Sequence, residues 1–293
     1  MELWFWAAVA GAVLAGFSNF YFKLAASRGY SPELFSFYGG VLSILLVTGW
    51  IIVFPQALLS VSVLFAALSF IGGLLIASNN VLKVYALRSI DATIYFPLYK
   101  LLAPAVAIAL GVTFFSETFT TIEWIGMIAG LFVPLMLITR AENTRQSNLL
   151  LGLFFVLLTG LFSAGGAALY KVSIDASMTA AAVLFYASLG LFFGSLGSII
   201  LKSGFKTLLF RLRTETTIGL LYGASMRSVL ITLAFASTLY AFQLGGTLAV
   251  VQTIQSFYIL IPIVLSIIFY GEHWNTQKVI AIVLSVAALG LLG

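Results

Sequence analysis

The chain has 293 residues, of which 62% are hydrophobic and only 8% charged, and its mean hydropathy is +1.14. A soluble protein of this length needs a far more polar surface, so lipid is the solvent, and the polar segments are too short to hold a soluble domain. The net charge of +5 is modest and suggests no nucleic-acid role, and the absence of cysteine excludes disulfides, thiolate nucleophiles and Cys-ligated metal.

The apolar runs predict ten membrane-spanning helices, over 3–26, 33–54, 61–87, 92–115, 120–139, 149–171, 179–201, 216–241, 247–270 and 275–292. Most hold 20 or more residues, enough to cross roughly 30 Å of hydrocarbon. The first is too long, and lacks the basic leading segment, for a cleaved signal peptide. Ser31-Pro32-Glu33 marks a helix start, with Ser31 as N-cap and Pro32 in the first turn. Pro55 closes the second span. Residues 140–148 form the most polar short segment and divide the chain in two. In the longest loop, 202–214, Phe205, Leu208, Leu209 and Phe210 alternate with Lys and Arg. That pattern fits a short helix on the membrane surface, or an ordinary basic loop.

Two stretches run in one register. Tyr85-Ala86-Leu87 leads to Glu117 after 32 residues, and Tyr240-Ala241-Phe242 leads to Glu272 after the same interval, 155 residues further on. Lys23 and Lys171 close the first and sixth spans in the same way. Each half then holds five spans. An odd number makes the second copy enter from the opposite face, so the repeat is inverted, and such repeats place a substrate site near the bilayer midplane. The expected fold is an all-α polytopic membrane protein, with repeats at 1–140 and 149–293 and a linker at 141–148. Eleven of the fourteen Lys and Arg flank the connections 1–2, 3–4, 5–6, 7–8 and 9–10. The positive-inside rule puts those connections in the cytoplasm and both termini outside.

Ser18-Asn19-Phe20-Tyr21-Phe22-Lys23 followed by Ser31-Pro32 resembles the opening of an EamA-type repeat. The two Tyr-Ala-Leu/Phe…Glu blocks, with Pro104 before Glu117 and Pro262 before Glu272, resemble its closing half. Over nearly its whole length the chain is thus similar to ten-helix members of the drug/metabolite transporter superfamily. The resemblance implies two four-helix bundles, spans 1–4 and 6–9, with spans 5 and 10 peripheral. It also implies a central cavity lined mainly by spans 1, 3, 4, 6, 8 and 9. Two features depart from it. Phe37-Tyr38-Gly39 stands where many relatives carry an Arg early in span 2, and the charge bias contradicts their usual cytoplasmic termini.

Lys100 lies roughly 13 Å into span 4, a depth that costs a cation several kcal/mol unless it faces a wet cavity or a partner. Pro97 and Pro104 bracket it and should weaken the helix there. The repeat carries Lys100 onto Gln255 and Pro97 onto Gln252, and these two amides share one face of span 9. Arg227 is central in span 8, among small neighbours. A midplane site built on Lys100, Arg227, Gln252 and Gln255 without a central carboxylate favours an anionic or zwitterionic substrate, such as an amino or organic acid. Asn79, Asn80 and Asn19 are amides at membrane depth, read either as helix ties or as substrate contacts. Tyr95 and Tyr99, one turn apart, line the cavity or pack. Glu117 and Glu272 either cap the turn into the next span or gate, and Lys23 and Lys171 either snorkel or gate. Kinks at Pro97, Pro104 and Pro262 allow spans 4 and 9 to bend.

No metal site or cofactor is expected, and no enzymatic signature is present. The expected function is secondary transport of a small metabolite by alternating access, in the cell (inner) membrane of a prokaryote. A lipid or lipid-linked-sugar translocase and a non-transporting membrane sensor or assembly partner are the alternatives. The expected partners are a small-molecule substrate and the lipid bilayer. Nothing in the sequence sets an oligomeric state, and a monomer suffices.

Overall fold

The computed structural model describes residues 2–53, 55, 61–90, 92–137, 149–261 and 276–293. Among the described residues every regular element is helical: α1 (Leu3–Ser27), α2 (Pro32–Val53), α3 (Val63–Ser89), α4 (Ala92–Phe114), α5 (Thr121–Met136), α6 (Leu149–Asp175), α7 (Ala180–Ser203), α8 (Phe205–Glu215), α9 (Ile218–Gln243), α10 (Leu248–Ser256) and α11 (Thr276–Leu292). Seven of these, α1 to α4, α6, α7 and α9, are long and apolar enough to cross a membrane. Helices α5, α10 and α11 are apolar but shorter.

The helix boundaries follow local chemistry. Ser31 Oγ accepts from the Leu34 amide at 3.5 Å, as the helix-start signal predicts. Thr179, Thr217 and Thr247 cap α7, α9 and α10 by accepting from the amides of Ala182, Leu220 and Val250. A cap of this kind is worth about 1 kcal/mol. Helix α5 opens on a reciprocal capping box between Thr120 and Glu123. Helix α4 stays α-helical through Pro97 and Pro104, so the expected weakening does not break it. Helix α10 instead tightens into a 3-10 turn at Phe257–Ile259. Pro262 lies outside the described residues, but its nitrogen has no hydrogen to offer the Tyr258 carbonyl, which favours a tighter turn just before it.

Outward-facing apolar side chains, among them Leu150, Leu201, Ile218 and Val63, are 80–90% exposed. Lipid is a good solvent for such a surface, and Trp6, Trp50 and Trp124 stand near helix ends as interfacial anchors do. Inside, backbones pack closely. A Cβ on Gly190 would lie 2.0 Å from the Phe70 carbonyl oxygen, and one on Gly73 would lie 2.1 Å from that of Ala187. Glycine is required there because α3 and α7 cross in backbone contact, as small residues allow at helix crossings in membranes. The main pairings are α1 with α9, α3 with α6 and α7, α2 with α7 and α9, α4 with α6 and α10, and α5 with α11.

Candidate functional site

Eight of these helices, α1 to α4, α6, α7, α9 and α10, surround a central cavity of about 180 Å³. Asn19, Asn79, Asn80, Tyr99, Lys100, Arg227, Gln252 and Gln255 all line it, so most of the sequence-derived site converges. The expected ring of helices is widened by α2, through Ser43, and by α7, through Leu184, Ala187, Ser188 and Leu191.

The cations are held by neutral groups. Lys100 Nζ donates to the Gln255 carbonyl at 3.0 Å and sits 3.3 Å from the centre of the Tyr258 ring. Gln255 Nε2 in turn donates to the Ala8 carbonyl at 3.1 Å and to Thr238 Oγ1 at 3.0 Å, tying α10 to α1 and α9. Arg227, 2% exposed, donates through Nη2 to Asn80 Oδ1 at 3.0 Å, with its guanidinium 4.1 Å from the Phe22 ring centre. Gly39 leaves room for the guanidinium: a Cβ there would approach Nη1 to 3.1 Å. Thus α9 brings an arginine beside the position on α2 where the sequence has glycine.

A third cation was not expected here. Lys83 is one of the eleven cations that flank a connection in the sequence, yet it is 4% exposed and lines the cavity. It donates to Asn19 Oδ1 at 3.2 Å and lies 4.6 Å from the Phe22 ring centre and 4.8 Å from that of Tyr99. Helix α3 runs six residues past it, to Ser89, which places Lys83 roughly 9 Å inside the helix end. The sequence did hold a signal. An offset of 155 carries Lys83 to Thr238 as it carries Lys100 to Gln255, and all four line the cavity. Among the described residues no carboxylate lines it.

Tyr95 corrects the expectation. It stacks on Tyr99 at 5.8 Å and donates to Thr159 Oγ1 at 3.4 Å, fully buried between α4 and α6 and away from the cavity wall. One turn along, Tyr99 reaches the cavity and donates to Ser163 Oγ at 3.0 Å. The partners on α6 decide the difference: Tyr95 meets Thr159, itself buried, whereas Tyr99 meets Ser163 on the cavity wall.

At the end of the molecule where α10 begins, Glu117 caps, but not the next span as expected. It accepts from the amides of Leu248 at 2.6 Å and Ala249 at 3.2 Å, at the N-terminus of α10, while Thr120 and Glu123 cap α5 themselves. An anion at a helix N-terminus meets unpaired N–H groups and the positive end of the dipole. Gly111 lets the carboxylate fold back, since a Cβ there would lie 2.4 Å from Glu117 Oε2. Lys171 pairs with Asp175 at 2.5 Å on its own helix. Glu272, Pro262 and the side chain of Lys23 lie outside the described residues.

At the opposite end sequence reasoning saw only a helix start in Glu33. This side chain is 2% exposed and accepts hydrogen bonds from Lys202 Nζ at 2.8 Å, from Ser31 Oγ at 2.9 Å and from the Tyr85 hydroxyl. Arg211 of α8 lies 3.8 Å away, donates to Ser31 and Ser203, and makes two hydrogen bonds to Glu215. Those bonds hold the Glu215 carboxyl below its usual range and raise the Arg211 guanidinium. The cluster binds α2, α3, α7 and α8 together. In the sequence this acid and the basic 202–214 segment are far apart, Glu33 standing 169 residues from Lys202, with nothing to bring them into contact.

No family model matches the chain, and no curated protein does. A solved structure, described only as the crystal structure of a protein, is similar to it with a TM-score of 0.66, covering 96% of this chain and 95% of that one at 14% identity. The likeness establishes a shared fold.

Proposed function

We propose that this chain is a secondary transporter of the EamA type within the drug/metabolite transporter superfamily, moving a small anionic or zwitterionic metabolite by alternating access. The observation that supports it most is the central cavity lined by Lys83, Lys100 and Arg227, with no carboxylate among the described lining residues. Buried cations in a membrane are costly and are kept where they serve a solute or an ion pathway.

Ten spans in two inverted five-helix repeats fit the packing. Pairing α1 with α9 and α3 with α6 are the same pairing under exchange of the halves, as are α4 with α6 and α10 with α1. Sites of inverted-repeat carriers lie at such junctions. Lys100 and Arg227 hold the negative group, and Gln252 contacts polar atoms of the substrate. Gln255 holds Lys100 and the helices around it. Thr238 and Gln252 of the cavity wall are partly exposed. The lining of buried side chains favours a compact solute over a lipid with trailing tails.

The proposed location is a cell membrane with both termini outside, so that α8 and the Glu33 cluster face the cytoplasm. Exposed Phe205 and Phe210 suit α8 to the membrane surface. Reporter fusions at both ends test the orientation, and cytoplasmic termini overturn it. Uptake into proteoliposomes tests the function: Lys100→Ala is expected to abolish uptake of the wild-type substrate, and unchanged uptake overturns the assigned role.

A further inference from the structure

We infer that the cavity takes a carboxylate joined to a branched or aromatic body, in preference to small or multiply charged metabolites. This rests on the transporter reading for its physiological meaning and narrows the substrate class within it, on the strength of the part of the cavity wall that bears no charge.

The cations occupy one level of the cavity. Helix α3 ends where α9 begins: Arg88 Nη2 donates to the Tyr30 carbonyl at 2.9 Å, and a Cβ on Gly219 would lie 2.5 Å from the Tyr30 hydroxyl. From that end Lys83 is roughly 9 Å deep, Lys100 roughly 12 Å and Arg227 roughly 14 Å, counted along their helices.

Further along both helices the lining turns apolar. On α3 it passes from Lys83 and Asn80 to Ile76 and Gly73, and on α9 from Arg227 to Ile231, Ala234 and Phe235. Gly73 and Phe235 stand roughly 24 and 26 Å from the same end. The two helices run in opposite directions, so a shared gradient belongs to the cavity and not to one chain segment. Helix α7 adds Leu184, Ala187 and Leu191, and α6 adds Ala167 and Tyr170. The hydroxyls of Ser43 and Thr232 in this region bond each other at 3.1 Å, and Ser188 adds another neutral hydroxyl. Gln252 and Gln255 keep the α10 side polar, so the apolar face belongs to α3, α6, α7 and the middle of α9.

That face has a fixed shape. Tyr170 and Phe235 pair across α6 and α9 with ring centres 4.8 Å apart. Tyr170 also rests on α3, where a Cβ on Gly72 would lie 2.5 Å from its ring. Beside the two rings the lining is small, at Gly73, Ala167 and Ala187, which leaves space for a side group. Sites of this kind bind through apolar contact while a few polar groups fix orientation.

A solute that reaches both levels sets its carboxylate among the cations and its body against the rings. Each methylene buried there raises affinity roughly fourfold. A small acid leaves the face to water and gains none of this. A dicarboxylate or sugar phosphate sets further charge or hydroxyls against it, and those groups lose hydration without a partner.

Calorimetry on the purified full-length chain in lipid nanodiscs, with empty nanodiscs as the blank, tests this. The probes are phenylpyruvate and pyruvate, L-phenylalanine and L-alanine, L-malate and 2-phenylethanol. In at least one of the two matched pairs the aromatic member is expected to bind at least tenfold more tightly than the small one. L-malate should bind at least tenfold more weakly than that aromatic acid, as should 2-phenylethanol, which has the ring without the carboxylate. The pair that shows the difference tells a keto acid from an amino acid. Phe235→Ala is expected to shrink the difference at least threefold, and Lys100→Ala to weaken both members alike. Equal binding within both pairs, tightest binding of L-malate or 2-phenylethanol, an undiminished difference in a folded Phe235→Ala chain, or no binding of any probe overturns the inference. The comparison of ligands on the unaltered chain decides this even where a variant fails to fold. Counterflow uptake into proteoliposomes separates the two readings. Binding of the aromatic acid without uptake overturns the transporter and leaves the ligand class standing, whereas uptake of pyruvate, L-alanine or L-malate in preference to the aromatic acids does the reverse.

Discussion

Two groups of charge among the described residues are built on opposite terms. At the α2–α8 end, Lys202 and Arg211 converge on Glu33, and the carboxylate also accepts from Ser31 and Tyr85. In the central cavity, Lys83, Lys100 and Arg227 meet only amides, a carbonyl and aromatic rings among the described residues. A neutralised cluster with its lone pairs satisfied ties helices together. Cations left to neutral partners pay desolvation without Coulombic return, so their retention points to a negative solute. The contrast separates a structural role from a binding role, and exposure runs with it: Lys202 is 45% exposed, whereas Lys83, Lys100 and Arg227 are at most 5% exposed.

After the loss expected for Lys100→Ala, the next largest effect breaks the contrast from the cavity side. Lys83→Ala should reduce substrate uptake by about tenfold to a hundredfold, the loss of one charge-assisted contact worth about 1.5–3 kcal/mol. The same variant should leave the thermal midpoint unchanged or raised, because it removes a buried charge that no carboxylate offsets. Proteoliposome flux and thermal unfolding in detergent measure the two, and a clear fall in midpoint would make Lys83 a structural tie.

Glu33→Gln acts on the other cluster and should lower stability by about 2 kcal/mol, since Lys202 loses its counter-ion, Arg211 keeps only Glu215, and Tyr85 meets a weaker acceptor. Combining it with Lys202→Gln should cost less than the sum of the single changes, which a double-mutant cycle by denaturant unfolding reads directly. Additive losses would dissolve the cluster as a unit.

Glu117→Gln should be milder, about 1 kcal/mol, as a charged cap on α10 becomes a neutral one. Hydrogen exchange at the Leu248 and Ala249 amides should quicken, and unchanged protection would remove the cap from the account. The smallest effect concerns α8. The Glu215 carboxyl is held below its ordinary value by the hydrogen bonds from Arg211. The resulting stabilisation is therefore complete above the ordinary carboxylate range and is lost as pH falls through the lowered value. With Phe210→Trp as a probe, emission should shift only on acidification below that range, and a shift near neutrality would assign the change to another group.

How much of this was legible in the sequence differs residue by residue. The depth of Lys100 and Arg227 was readable, because a charge in the middle of an apolar run has few places to go. Lys83 was hidden by its nearness to a span end, where lysines usually snorkel to the interface. Tyr95 and Tyr99 share one helix face, and only their partners on α6 separate the one that packs from the one that lines the cavity. Glu33 looked like a first-turn acid, a common and sufficient explanation on its own.

By itself the sequence determined the solvent, the helical class and the approximate helix limits. Those follow from composition, apolar run length and capping chemistry, all local along the chain. The tertiary structure decided which charges meet, since that depends on helices 155 or more residues apart coming into contact, as Lys100 does with Gln255 and Lys202 with Glu33. Ionisable side chains carry no mark of their partner in their own neighbourhood. Only packing tells a cation that is neutralised from one that is left for a solute.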